Sequence, residues 1–268
     1  MFVDSHCHLT FPELLADLPR IRDAMAEADV GAALCISTRA DEIAGVVALA
    51  ETDPAWWASA GVHPETEDEP EISEAALLQW AAHPKVIAIG ETGLDYYRLE
   101  GRTVADMAWQ RERFQVHIRA SQASGLPLVI HTRSASEDTL ALLREAARSG
   151  PAPRGVFHCF TETREVARAA LDLGFLISFS GILTFRNAEA LREVARLVPL
   201  DRCLIETDSP YLAPVPFRGK TNTPALVPHV AAELAKQRGI SVAAVAEATT
   251  RNFQDLFGVT TPGQGAAA

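Results

Sequence analysis

Hydrophobic and polar positions along this chain follow two alternating patterns. Short runs of β-branched and aliphatic residues fall at 1–5, 32–38, 57–62, 86–90, 128–131, 155–159, 175–180 and 203–207. Between them apolar residues return every three to four positions, the spacing that gives a helix one buried face. That period is clearest over 104–124, 137–148, 164–173, 188–197 and 226–238, and a last helix is expected over 241–257. Several strand runs follow a Gly or Pro that ends the preceding helix, as at Gly125 and Pro127, at Pro153 and at Gly174.

Strand and helix alternating eight times predict parallel strands, because a parallel partner is reached only by crossing a face of the sheet. Eight units suit an α/β fold of the (β/α)8 TIM-barrel type better than an open doubly wound sheet, which usually has about five to seven strands. No glycine-rich dinucleotide or phosphate loop follows any strand run, which lowers the open-sheet reading further. The 268 residues therefore read as a single barrel domain over 1–258, with a small, polar segment at 259–268 expected to be disordered.

Hydrophobic residues make up 48% and charged residues 22% of the chain, enough to bury a large core, which excludes a disordered or collagen-like chain. No apolar run approaches the ~20 residues that cross a bilayer, and the first residues lack the basic and apolar regions of a signal peptide. A cytoplasmic location without a membrane partner is expected. Cys7, Cys35, Cys159 and Cys203 lie in strand-like runs and form no Cys-x-x-Cys pair, so they read as small core residues rather than a disulfide framework or zinc site. The 24 Lys and Arg against 35 Asp and Glu leave −11, which should repel duplex DNA unless positive charge comes from elsewhere.

Active sites of such barrels lie at the C-terminal ends of the strands, and the polar residues here crowd into those positions. Strand one ends in His6-Cys7-His8, strand three in His63, strand four in Glu91, strand five in His131, strand six in His158 and strand eight in Asp208. Positions i and i+2 of an extended chain share a face, so His6 and His8 can point at one metal while Cys7 faces away. Packing alone does not account for the set, since six polar side chains converging without partners would be expensive to bury. Four imidazoles and two carboxylates exceed what one tetrahedral ion needs and suit two, with Glu91 the natural bridge because its two oxygens can face different cations. A nitrogen and oxygen set without thiolate suits Mg2+, Mn2+ or Zn2+.

Five stretches carry a family likeness: Phe2-Val3-Asp4-Ser5-His6-Cys7-His8-Leu9, Gly61-Val62-His63-Pro64, Ile89-Gly90-Glu91-Thr92-Gly93-Leu94-Asp95-Tyr96-Tyr97, Val156-Phe157-His158-Cys159-Phe160-Thr161 and Glu206-Thr207-Asp208-Ser209-Pro210-Tyr211-Leu212. They closely resemble the TatD family of metal-dependent deoxyribonucleases, in the family's order, from the first residues to Asn252. The resemblance implies a TIM barrel of the amidohydrolase group, a divalent-metal site and hydrolase activity, typically 3′ to 5′ removal of nucleotides from DNA. It puts the metal ligands at His6, His8, Glu91, His131, His158 and Asp208, the six already reached from the strand ends. Ser134, where the family commonly has an acid, and Glu162, where Gly is usual, depart from the pattern and make loop contacts to substrate less transferable.

On this reading two cations roughly 3.5 to 4 Å apart hold a bridging water as hydroxide for attack on phosphorus. His6, His8 and Asp208 are expected on one ion, His131 and His158 on the other and Glu91 on both, with Asp208 also taking the proton of the water. His63 reads as a contact to the substrate phosphate or leaving group, or as a hydrogen-bonded structural histidine beside Pro64. Arg133 reads as a phosphate contact or a salt bridge to a neighbouring loop, and the loop 216–222, with Arg218 and Lys220, as phosphate-binding or a simple solvated turn. Glu206 and Asp95 are expected to fix neighbouring ligands. Tyr96, Tyr97 and Phe185 are candidate base-stacking rings, and Trp109 a core residue. The expected substrate is a DNA end or single strand, engaged by a monomer with no obligate protein partner. A rival reading keeps the metals but changes the bond to an ester or amide, such as the D-aminoacyl ester of tRNA. A third is a nucleic-acid-binding or structural protein with a vestigial site.

Overall fold

Each apolar run becomes a strand in the computed structural model, which describes residues 1–262. The strands are β1 Phe2–Cys7, β2 Val30–Cys35, β3 Trp56–Ala60, β4 Val86–Asp95, β5 Leu128–Arg133, β6 Gly155–Phe157, β7 Leu176–Phe179 and β8 Cys203–Ile205. They pair in parallel and in chain order from β1 to β8, the (β/α)8 arrangement expected. The crossovers carry α1 Pro12–Leu15 with α2 Leu18–Glu27, α3 Ile43–Glu51, α4 Glu74–Ala81, α5 Ala108–Ser124, α6 Ser136–Ser149, α7 Arg164–Asp172 and α8 Glu189–Leu197. After β8 come α9 Val227–Arg238 and α10 Val242–Phe257. Among the described residues no helix is long and apolar enough to cross a membrane.

Strands β1, β4 and β5 run beyond their apolar runs, and the extensions of β1 and β4 carry His6 and Glu91 of the site. Hydrophobic patterning stops at the first polar side chain, but a ladder is made by backbone groups that are blind to side-chain polarity. Thus Thr92 to Asp95 stay paired with Ile130 to Arg133, and the Glu91 N–H donates to the Ser37 carbonyl at 3.0 Å. Gly93 (φ 139°) sits where a Cβ would run into the carbonyl oxygen of His131, so only glycine lets β4 approach β5 at this level.

The seam between β8 and β1 closes just below the mouth. The Asp208 N–H donates to the His6 carbonyl at 3.0 Å and the His8 N–H to the Ser209 carbonyl at 2.9 Å. Beneath them the buried Asp4 carboxylate accepts from the N–H groups of His6 and Thr207 and from the Thr207 hydroxyl. Burial pushes the Asp4 carboxyl up to about 8, against the pull of the Thr207 hydrogen bonds. Asp4, to which the sequence reading gave no role, thereby pins the two strands that bear His6, His8 and Asp208.

Two apolar layers hold the barrel. One fills the space between strands and helices, with Phe114, Phe157, Phe175 and Phe179 fully buried. The other lines the opposite end of the barrel from the mouth, where Val3, Leu34, Trp57, Val129 and Leu204 meet Phe253, Leu256 and Phe257 of α10. Cys7, Cys35 and Cys203 are buried, whereas Cys159 is half-buried with its sulfur 3.2 Å from the Ser180 hydroxyl. The segment expected to be disordered, 259–268, is described as far as residue 262. Thr261 is buried and accepts a 2.7 Å hydrogen bond from Gln254 Nε2, and residues 263–268 lie outside the described ones.

Behind the mouth, α5 holds the loop after β3. His117 is fully buried; its Nδ1–H meets the Arg113 carbonyl at 2.9 Å and its Nε2 accepts the Val62 N–H at 3.1 Å. Both ring nitrogens are used by the neutral imidazole, and burial lowers its pKa to about 4 from 6.5. The folded protein therefore resists a proton that the unfolded chain accepts, and the neutral ring's stability is present above pH 6.5 and lost as pH falls toward 4. His117→Gln, which keeps an acceptor for Val62, should lessen the loss of unfolding free energy between pH 7 and 4.5 by about 2 kcal/mol, measured by denaturant titration. An unchanged pH slope would show that His117 is not the group responsible.

Candidate metal centre

Six side chains from five strand ends converge on Glu91, and its two oxygens divide them. Glu91 Oε1 lies 2.8 Å from His158 Nε2 and 3.3 Å from both His131 Nδ1 and His63 Nε2. Glu91 Oε2 lies 3.2 Å from His6 Nε2 and 3.9 Å from His8 Nε2. Asp208 completes the second side, with Oδ1 3.3 Å from His8 Nε2 and 3.6 Å from His6 Nε2. The ligand atoms fall into three groups within reach of one ion: His6, Glu91 and His158; His6, His8 and Asp208; and His63, Glu91 and His131.

The donor set fits a metal. His131 turns Nε2 to Asp95 Oδ2 at 2.8 Å, and His158 turns Nδ1 to Glu206 Oε1 at 3.3 Å. Each outer nitrogen thus donates its N–H to a carboxylate, which in the neutral ring leaves a lone pair on the inner nitrogen that faces Glu91. Lone pair facing carboxylate is repulsive unless a cation lies between them. His158 Nε2, buried and close to Glu91, makes no aligned hydrogen bond, and His6 Nδ1 and His8 Nδ1 are also buried without partners. His6 and His158 stack at 3.9 Å between ring centroids, which keeps both inner nitrogens beside the same carboxylate.

Electrostatics make the same demand. Burial alone would raise the Glu91 carboxyl, but His158, His63, His6 and His131 outweigh it and hold the group well below its ordinary range. Asp208 is likewise lowered, burial being overcome by the hydrogen bond with His8 and the charge of His6 and His158. Burial would lower His158, yet Glu91 and Glu206 lift it well above the imidazole norm. His131 and His8 rise against burial through Asp95 with Glu91 and through Asp208, respectively. Burial instead keeps His6 and His63 below the imidazole norm. The acids hold their charge while His8, His131 and His158 accept protons, which is how a cation nest behaves when protons stand in for metal.

The rim groups are less tightly gathered. Arg133 is half-buried with its guanidinium 3.6 Å above the Tyr97 ring, and Arg218 is exposed at 3.7 Å over Phe185. Lys220 is exposed, 5.8 Å from the Phe217 ring. Arg218 and Lys220 share a recess of about 480 Å³ with Glu13 and Tyr211. Tyr96 is buried and hydrogen-bonds Asp138, while Trp109 packs on the core beneath the Arg113 guanidinium. Phe11, unassigned from the sequence, stacks on His8 at 4.8 Å and meets Tyr211 edge-on at 6.1 Å. Its one signal is an aromatic three residues after the His-x-His pair.

A nearly closed ring of eight parallel strands whose C-terminal mouth gathers imidazoles and carboxylates defines a TIM-barrel metal-dependent hydrolase. The chain belongs to the TatD-related DNase family, which it matches over residues 3–258. It is 46% identical over 258 residues to YcfH of Escherichia coli K12, named an uncharacterized metal-dependent hydrolase, covering 95% of each chain. A protein of Escherichia fergusonii named as the 3′-5′ ssDNA/RNA exonuclease TatD is 33% identical over 262 residues, 96% of this chain and 98% of that one. The crystal structure of YJJV, a TatD homologue from Escherichia coli K12, superposes with a TM-score of 0.88 at 29% identity, covering 97% of this chain and 98% of that one.

Protein stripped of metal by chelation should release protons when Zn2+ or Mn2+ is added at neutral pH, because His8, His131 and His158 hold protons more firmly than free imidazole. The sign follows from their raised values: proton-bound stability is present below 6.5 and is lost as pH rises through the folded-state values. Calorimetry in buffers of different ionisation enthalpy reads the release, and heats independent of buffer would contradict it. Asp95→Asn and Glu206→Gln should each weaken metal affinity by about 10- to 100-fold; unchanged affinity in both would remove the orienting role of these carboxylates.

Proposed function

We propose that the protein is a phosphodiesterase that removes nucleotides from the 3′ end of single-stranded DNA with two divalent cations, Mg2+, Mn2+ or Zn2+. The observation that carries this reading is the division of Glu91, whose Oε2 faces His6 and His8 while Oε1 faces His131 and His158. His6, His8 and Asp208 with one Glu91 oxygen would hold one cation, and His131 and His158 with the other oxygen would hold the second. Cations bound there supply positive charge for a phosphate oxygen and acidify a water molecule.

The chain's own groups do the rest. Asp208 Oδ1, at the edge of the cluster and half-buried, is placed to orient the attacking water and receive its proton. As the water oxygen bonds to phosphorus, the bond from phosphorus to the 3′ oxygen of the preceding nucleotide breaks, and that oxygen is protonated from solvent. A 5′-mononucleotide leaves. Asp95 and Glu206 keep His131 and His158 from turning during this exchange.

A single strand suits the rim better than a duplex. Arg133 on Tyr97 and Arg218 on Phe185 combine a cation for the backbone with a ring for a base, the pairing that single-stranded nucleic acid uses without sequence preference. A net charge of −11 disfavours a long duplex that needs many phosphate contacts. The exonuclease name borne by the Escherichia fergusonii relative agrees with this reading.

The deciding experiment runs labelled single-stranded DNA and D-aminoacyl-tRNA in parallel on one metal-loaded preparation. Release of 5′-mononucleotides, abolished in Glu91→Ala, is expected; turnover of the aminoacyl ester alone would replace the reading with an esterase. Asp208→Asn should lower kcat by about 10²- to 10⁴-fold. Near-normal turnover at full metal occupancy would reassign the proton acceptor.

A further inference from the structure

His63 is held unlike the other imidazoles of the centre. His131 and His158 present their outer nitrogens to carboxylates, so those nitrogens carry the proton and the inner ones offer lone pairs. The outer nitrogen of His63, Nδ1, instead accepts the backbone N–H of Glu65 at 3.1 Å. A nitrogen that accepts has no proton of its own, so the neutral ring carries its proton on Nε2, the atom facing Glu91. Metal bonding through Nε2 would need that proton on Nδ1, where it would meet the Glu65 N–H donor to donor.

Local sequence sets this arrangement. Pro64 has no N–H, so the first backbone donor that can fold back onto the His63 ring belongs to Glu65. The chain repeats the experiment at His83-Pro84-Lys85, where Nδ1 accepts the Lys85 N–H at 3.2 Å and Nε2 lies 3.4 Å from Glu51 Oε1. His83 stands outside the groups of ligand atoms at the mouth, so the ring orientation belongs to the His-Pro-x unit and not to a metal. The unit is then clamped from behind. The His63 N–H donates to the Thr38 carbonyl at 2.8 Å, and its own carbonyl accepts from Arg113 Nη1 at 2.8 Å and from the Thr66 N–H at 3.1 Å. Arg113 is fixed in turn by both oxygens of Glu71.

We propose that His63 is not a metal ligand but a fixed Nε2–H donor to an oxygen of the phosphate group under attack. Its Nε2 is as near Glu91 as His131 Nδ1 is, so distance alone does not separate the two; the partner on the far side of each ring does. The substrate half of this proposal rests on the phosphodiesterase reading, while the ligation half does not. The proton remains on Nε2 throughout, and the bond it makes strengthens as charge grows on the phosphate oxygen.

Three measurements on the whole protein test it. Ring 15N NMR of 15N-histidine-labelled, Zn2+-loaded protein should show the proton on Nε2 of His63, matching His83, and a bare, metal-free Nδ1. His63→Ala and His63→Gln should bind Zn2+ with the wild-type stoichiometry and affinity. With bis(p-nitrophenyl) phosphate, His63→Ala should lower kcat by about 10²- to 10³-fold with little change in KM, and His63→Gln, which keeps an N–H, should recover part of the loss. A zinc-bound Nε2 in the NMR spectrum, or a lost equivalent of Zn2+ in His63→Ala, overturns the ligation half whatever the enzyme hydrolyses. A wild-type protein inert on the diester overturns the phosphodiesterase reading and the substrate half with it.

Discussion

The structure turns on one carboxylate that cannot be left alone. Glu91 is buried among the nitrogens of five imidazoles. Such a cluster is stable only with positive charge inside it, from metal or from protons, because charge in a low-dielectric site is worth far more than in water. The strand extensions, the Gly93 approach and the Asp4 seam all serve to bring groups to this one point.

Around that point, the outer nitrogen of three of the rings decides what the inner nitrogen can do. A carboxylate behind the ring, as for His131 and His158, makes a lone pair face the centre; a backbone N–H behind it, as for His63, makes a proton face the centre. Three imidazoles of identical chemistry are thus sorted by their neighbours. The supporting groups are themselves secured: Asp95 also accepts the Tyr97 N–H at 2.8 Å, and Glu206 the Cys159 N–H at 2.6 Å.

The acidic character of the chain and its basic rim are compatible once their positions are considered. Exposed helix faces carry acids paired with arginines, such as Glu189 with Arg192 and Arg196, or Glu247 with Arg251. Pairs of that kind add little stability. The cations at the mouth, Arg133 and Arg218, rest on aromatic rings instead, and so keep their hydrogen-bonding edges available to an anion.

The barrel was legible in the sequence because period-2 and period-3.6 hydrophobic patterns are local consequences of burial, and eight of each in turn admit few topologies. The six groups at the strand ends were legible too, since strand direction alone sends them to one mouth. The His-Pro-x unit at His63 is local as well, although its meaning needed the ring partners to be seen. Tertiary structure decided the rest: that β4 continues to Asp95, that Asp4 locks β1 to β8, that His117 and Arg113 reach from α5 to the loop of His63, and which Glu91 oxygen faces which ring. These contacts join residues tens to hundreds of positions apart. No periodicity encodes such distances, because closing those loops depends on the packing of the whole barrel rather than on any segment's own preference.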